Sequence, residues 1–120
     1  MVVLRKRSPT KLRRIRRVTW VETAAAIPSS LDAGAAYIMG PATRPKWFVL
    51  GCPCCCGESL WLSLMPKARP RWRLLRTGGT FSAFPSIVAN NCGSHFWLRD
   101  GQFIWVEDRA RLTKRDLEKA

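Results

Sequence analysis

The cysteine cluster Cys52-Pro53-Cys54-Cys55-Cys56 constrains the fold of this 120-residue chain more than any other stretch. It holds four of the five cysteines, and the fifth is Cys92. An odd number of crowded cysteines suits disulfides poorly. No continuous apolar region of a secretory signal follows the basic N-terminus either, so we expect reduced thiols. Metal binding explains such a cluster better.

Zinc is the metal that the spacing favours. Thiolates two and four residues apart can share one zinc ion, and Cys92 is the only distant cysteine that can complete a tetrahedral set. We therefore predict a zinc site made of Cys52, Cys54, Cys56 and Cys92. Because four thiolates leave no open position for water, this zinc would be structural. Two alternatives stay open: Cys55 could replace one of the clustered ligands, or the cysteines could be buried thiols without metal.

The size of the chain predicts one domain. A chain of 13.6 kDa buries about two-thirds of the surface that it exposes when unfolded, so a metal would help to stabilise it. Hydrophobic residues make up 47%, enough for a packed core. No apolar run is long enough for a membrane span, so we expect a cytoplasmic protein without a membrane partner.

Positive charge is concentrated at the N-terminus. The formal net charge is +13, and residues 1–17 hold eight of the 21 lysines and arginines without one acidic residue. Like charges favour extended chain, so we predict a disordered arm over 1–17 and a single domain over 18–120. Such an arm can bind phosphates, which makes non-specific nucleic acid a candidate partner. It is also typical of a solvated tail or of an arginine-rich transit peptide.

From Val18 onward, short apolar runs alternate with glycine and proline, which indicates strands and turns. Strands are predicted over 18–21, 35–39, 46–50, 59–65, 72–76, 80–84, 95–99 and 102–106. Gly78-Gly79 and Asp100-Gly101 are hairpin signals. One helical turn is expected between 28 and 34, and a short C-terminal helix over 113–120. The fold class is thus mainly β with a minor α+β element, an antiparallel domain with most of its six tryptophans in the core.

His95 is the only histidine. Histidine is the side chain whose unperturbed pKa lies near neutrality, so a serine nucleophile in this chain would most plausibly use it as its base. The competing interpretation makes His95 a zinc ligand beside Cys92, because Cys-x-x-His is an acceptable ligand spacing. The residues by themselves leave both interpretations open.

Several segments together resemble a known family. They are Cys52-Pro53-Cys54-Cys55-Cys56-Gly57-Glu58, Trp72-Arg73-Leu74, Pro85-Ser86-Ile87 and Cys92-Gly93-Ser94-His95-Phe96-Trp97-Leu98. Over roughly residues 35–106 the chain is similar to the small serine proteases encoded in bacterial ubiquitination-like (Bub) operons. Cys55 stands where that family usually has glycine, and Val88-Ala89 replaces a Gly-Asn pair.

The resemblance implies a serine–histidine dyad, which by position is Ser86 with His95. Ser94 is a poorer nucleophile candidate because consecutive strand residues point to opposite faces, whereas a loop over 87–93 would bring Ser86 back to the imidazole. Glu58 and Asp100 are the nearest candidates to orient the imidazole, although the sequence gives neither a specific warrant.

The implied activity is that of a deubiquitinase-like peptidase in antiphage immunity. It would act on the C-terminus of a ubiquitin-like modifier or on its conjugates, with the activating and conjugating enzymes of the pathway as further partners. The rival hypothesis is a non-catalytic zinc module that binds nucleic acid through the basic arm.

Overall fold

The computed structural model describes residues 12–106, which form eight strands and one short 3-10 turn. The strands are β1 (Arg17–Val21), β2 (Ala35–Met39), β3 (Trp47–Gly51), β4 (Ser59–Ser63), β5 (Arg73–Thr77), β6 (Thr80–Ala89), β7 (Ser94–Arg99) and β8 (Gln102–Trp105). The 3-10 turn is Ala24–Ala26. The helical turn expected between 28 and 34 is therefore wrong, and the predicted helix over 113–120 lies outside the described residues.

The first sheet has the order β1-β2-β3-β4. The β2–β3 and β3–β4 pairs are antiparallel, as predicted, whereas β1 runs parallel to β2. Parallel neighbours need a long connection, and residues 22–34 supply it. This segment folds back over the outer face of the sheet, where Ile27 and Leu31 pack with Tyr37 and Val49.

The second sheet is an antiparallel meander, β5-β6-β7-β8. Its last turn carries Asp100 at φ 50° and Gly101 at φ 77°, the positive values that a tight Asp-Gly hairpin requires. Gly78 provides a positive φ of 61° in the β5–β6 turn. Both hairpin predictions are confirmed.

The two sheets share one hydrophobic core. Phe48 and Leu62 are opposite each other on β3 and β4, and both belong to a buried cluster with residues of β6, β7 and β8, against which the half-buried Leu74 of β5 packs. In that second sheet the ring of Phe96 lies 5.4 Å from Phe103 and 5.3 Å from Trp105, centroid to centroid. The mainly β fold class is thus confirmed.

Described residues that precede the expected boundary at residue 18 already make hydrogen bonds to the rest of the structure. Leu12 N–H donates to Pro53 O at 2.9 Å, and Trp105 Nε1 donates to Leu12 O at 3.1 Å. Leu12 and Ile15 also pack against the core. Arginines around these two apolar positions dominate the charge pattern, and the sequence analysis therefore assigned both positions to the arm. Within residues 12–106, no helix is long and apolar enough to cross a membrane.

Candidate active site and metal centre

A bulge in the β6–β7 hairpin positions Ser86. Ala83 pairs with Leu98, but Ile87 pairs with Phe96, so β6 advances four residues while β7 advances two. Residues 84–86 of β6 thus lie opposite Trp97 alone, two residues more than regular pairing allows. Bulges interrupt strand pairing and turn a side chain to a new direction, and they are frequent beside active sites.

Ser86 and His95 are in direct contact, with His95 Nε2 at 3.0 Å from Ser86 Oγ. Val88 lies opposite His95 in the register, so Ser86 is the diagonal cross-strand neighbour of His95. The expected loop over 87–93 is wrong in detail because β6 continues to Ala89 and only 90–93 turn. Strand pairing, rather than a returning loop, brings the two side chains together.

Three further side chains surround the pair. Trp72 Nε1 donates to Ser86 O at 3.3 Å, and the His95 ring lies tilted at 6.4 Å from Trp97. The Arg99 guanidinium covers the Phe84 ring at 4.3 Å from its centroid, which fixes the start of the bulge. The sequence analysis assigned most of the tryptophans to the core and did not single out Trp72. Its position in the Trp-Arg-Leu segment of the resemblance was a signal that it lies near the site.

No carboxylate within residues 12–106 hydrogen-bonds the imidazole of His95. Asp100 lies five positions along the chain, about 17 Å of strand away, and its backbone N–H donates to Ser82 Oγ at 2.8 Å. Glu58 precedes β4, and its buried Oε1 has no hydrogen-bond partner among the described residues. The site is therefore a two-residue pair in the part of the chain that the structure describes.

Ser94 points away from His95, as the alternation of strand residues predicts. Its hydroxyl lies 3.2 Å from Cys92 Sγ. Ser94 thus belongs to the surroundings of the cysteines, and Ser86 is the serine beside the imidazole.

Four cysteines converge at the end of the same hairpin. The Sγ atoms of Cys52, Cys54, Cys56 and Cys92 all lie within 4.8 Å of one another. The separations from Cys52 to Cys54, Cys52 to Cys92 and Cys54 to Cys92 are 3.4, 3.7 and 3.6 Å. Zinc–sulfur bonds of about 2.3 Å place tetrahedral ligands about 3.8 Å apart, so this donor set fits zinc.

Cys55 and His95 lie outside this group. The Cys55 thiol is exposed, 3.9 Å from Pro53 O, and its φ of 71° lies in the region that favours glycine. Glycine, which the resemblance expects at this position, adopts this conformation without strain. His95 directs Nε2 to Ser86, so the described residues do not assemble the alternative Cys92–His95 ligand pair.

Hydrogen bonding distinguishes Cys92 from its neighbours. Burial raises the pKa of Cys52 and of Cys56. Burial also acts to raise the pKa of Cys92, but hydrogen bonds from the Ser94 side chain and backbone and from neighbouring thiols outweigh it and lower the pKa to about 7. Because thiolates are the metal-binding form, zinc must displace protons from the buried Cys52 when it binds.

Comparison with known proteins identifies the family of this chain. A family model described as bacterial ubiquitination-like system serine protease (BubE) matches residues 23–106. The chain belongs to this family. The matched range includes Ser86, His95 and all five cysteines. No curated protein and no solved structure gives a match. The family match confirms the resemblance on which the dyad assignment depends.

Proposed function

We propose that this protein is a peptidase in which Ser86 is the nucleophile and His95 the general base, acting at the C-terminus of a ubiquitin-like modifier. The observation that supports this most directly is the 3.0 Å contact between His95 Nε2 and Ser86 Oγ in a chain of this protease family. A nucleophile and its base must be within about 2.6–3.2 Å of each other, and this pair meets that condition.

His95 carries the proton in each step of the reaction. Ser86 Oγ attacks the carbonyl carbon of the modifier's last residue while His95 Nε2 takes the hydroxyl proton. The tetrahedral intermediate then collapses, the bond to the leaving amine breaks, and His95 returns the proton to that amine. Water, deprotonated by His95, hydrolyses the resulting ester and restores Ser86.

A structural metal accompanies this site in our proposal. Cys52, Cys54, Cys56 and Cys92 hold one zinc ion, whose closed set of four thiolates supplies stability and no catalytic water. The metal links the segment after β3 to the turn before β7. The turn ends at Gly93, and His95 follows two residues later in β7. The metal therefore limits the motion of the strand that carries the base.

The substrates follow from the bond that is attacked. A precursor presents a peptide bond after the modifier's last residue, and a conjugate presents an amide to a target amine. Both place the same acyl group at Ser86, so we propose the modifier and its conjugates as partners, together with the enzymes that activate and attach it.

Cleavage of a fused reporter tests this function. The modifier of the same system, extended at its C-terminus by a fluorescent protein, should be cut by the wild-type chain. Ser86→Ala should reduce the rate by at least about a thousandfold. Ser94→Ala is the matched control and should keep most of the activity. Undiminished cleavage by Ser86→Ala would contradict the proposal.

A further inference from the structure

Among residues 12–106, strand β4 is the last strand of the first sheet, so one of its edges pairs with no other described strand. Two hydrogen bonds fix its pairing pattern: Cys52 N–H donates to Glu58 O, and Leu64 N–H donates to Lys46 O, both at 2.9 Å. Bonded positions alternate along an antiparallel pair. The N–H and C=O groups of Ser59 and Trp61 therefore point away from β3, and no backbone group within residues 12–106 pairs with them.

A groove of about 460 Å³ runs along this edge. The edge of β4 forms one side, and Ile87 and Val88 of β6 form the other. Trp61 and Val88 are 42% and 53% exposed, so the groove presents apolar surface next to unpaired backbone groups. Proteins usually protect such strand edges, and an open one is a template for an added strand.

Trp72 connects one end of the groove to the nucleophile. Its backbone N–H donates to Ser63 O, the last residue of β4, at 2.8 Å, and its indole donates to Ser86 O at 3.3 Å. The other end of the groove is lined by Glu58 and Asn90, beside the cysteine cluster. A chain lying in this groove thus runs from Glu58 to Trp72, the groove residue that contacts Ser86.

We propose that the extended C-terminal tail of the modifier binds in this groove as an additional strand along β4, which delivers its last carbonyl group to Ser86. This inference rests on the proposed function. An extended tail has unpaired backbone groups that match the open edge, and alternate side chains would contact Trp61 on one face. Trp72 lines the groove and hydrogen-bonds Ser86 O, so the groove ends beside the nucleophile and the acyl side of the substrate is its occupant.

Glu58 gives this groove a preference for a basic side chain. The Glu58 carboxylate lines this end of the groove, and its Oε1 has no hydrogen-bond partner among the described residues, so a cationic side chain beside it would supply a charge-assisted hydrogen bond. From Ser63 to Glu58 is five residues, or about 17 Å of strand. A lysine or arginine about five positions before the scissile bond would therefore reach Glu58.

Peptide binding to the Ser86→Ala protein tests the added strand without requiring catalysis. The probe is a fluorescein-labelled peptide of the last ten residues of the system's own modifier, measured by fluorescence anisotropy. Trp61→Pro removes the outward N–H at an edge position that tolerates proline, and Trp61→Ala removes the same side chain but keeps the N–H. The proline variant should bind about fivefold more weakly than the alanine variant. Equal affinities in two folded variants would overturn the proposal.

Methylation of the peptide gives a second measurement that does not alter the protein. Single N-methyl groups are placed along the probe, one residue at a time. Binding should weaken at every second position, because only alternate N–H groups of an added strand face β4. Uniform effects along the peptide would overturn the added strand.

A walk of one arginine along octa-alanine substrates tests the role of Glu58. Each substrate ends in a C-terminal aminomethylcoumarin, and kcat/KM should be highest with arginine about five residues before the cleaved bond. Glu58→Gln should reduce that preference about tenfold, with zinc content unchanged. Cleavage that is independent of arginine position would overturn the groove and leave the proposed function standing. Peptide binding along β4 without cleavage of any substrate would support the groove and contradict the proposed function.

Discussion

The Ser86–His95 pair and the four-cysteine cluster are neighbours on one hairpin, but they are held in different ways. Both members of the pair lie in adjacent strands, β6 and β7, whose backbone pairing sets their positions. The cluster instead joins Cys92, in the turn of that hairpin, to residues 52–56, which follow β3 of the other sheet. One site is contained in a hairpin, and the other connects two sheets.

This difference separates chemistry from stability. Backbone hydrogen bonds hold the two strands that carry Ser86 and His95, so a change to either side chain should remove the proposed reaction and leave the fold intact. Side chains alone form the cysteine cluster. The loss of one thiol should therefore break the link between the two sheets at the end of the proposed peptide groove. The variants below test this separation from both sides.

Replacement of His95 should give the largest effect. His95→Ala removes the base from the pair, and kcat/KM for the modifier fusion should fall at least about a thousandfold. The Ser86→Ala/His95→Ala double variant should be no slower than either single variant, because the two residues act as one unit. Zinc content and melting temperature should match the wild type. Loss of zinc from His95→Ala would instead make His95 a metal ligand.

Replacement of Cys92 should affect the fold rather than only the reaction. Purified wild-type protein should contain about one zinc per chain, and Cys92→Ser should lose the metal together with several kcal/mol of unfolding free energy. Cys55→Ser is the matched control and should keep the zinc, because its thiol lies outside the group. Elemental analysis and urea unfolding measure the two quantities. A metal-free wild-type protein would contradict the assignment.

Gly51→Ala should disturb the strand that leads into the cluster. Gly51 is buried, and an added Cβ would overlap the carbonyl oxygen of Asp32. Overpacking against backbone costs about 1–3 kcal/mol, which thermal unfolding would detect. Gly79→Ala is the control, because a Cβ there meets no atom within 4 Å. Equal melting temperatures for the two variants would show that the β3 end is not tightly packed.

The smallest expected effect has the opposite sign. Cys55 has a φ of 71°, so Cys55→Gly should raise the unfolding free energy by about 1 kcal/mol without loss of zinc. Gly57→Ala should lower it by a similar amount, because Gly57 has a φ of 91°. A Cys55→Gly protein that loses zinc would place Cys55 among the ligands.

Local patterns predicted most of the strands but not their arrangement. Short apolar runs gave the strands, and Asp100-Gly101 gave the last hairpin, because turn chemistry acts over neighbouring residues. The parallel pairing of β1 with β2 depends on the path of residues 22–34, which carry no signal for it. Leu12 and Ile15 were overlooked because the arginines around them dominate the charge pattern.

The site was predictable in its residues and not in its geometry. The resemblance pointed to Ser86 and His95, but the predicted strand ended at Phe84, before Pro85, and the bulge was not predicted. Cysteine spacing could not decide between Cys55 and its neighbours, whereas the structure brings the Sγ atoms of the other four cysteines together and leaves Cys55 outside the group. The sequence did not predict the peptide groove. Glu58 contributes to a groove only because β4 lies at a sheet edge, and the order of strands in a sheet is not a property of local sequence.

The most direct measurement of the central claim is the site of covalent labelling by a fluorophosphonate. The wild-type protein is treated with the probe, digested, and mapped by mass spectrometry. The adduct should lie on Ser86, should be absent from Ser86→Ala, and should form much more slowly on His95→Ala, because the imidazole activates the hydroxyl. An adduct on Ser94, or cleavage of the modifier fusion by a protein whose Ser86 is never labelled, would contradict the account.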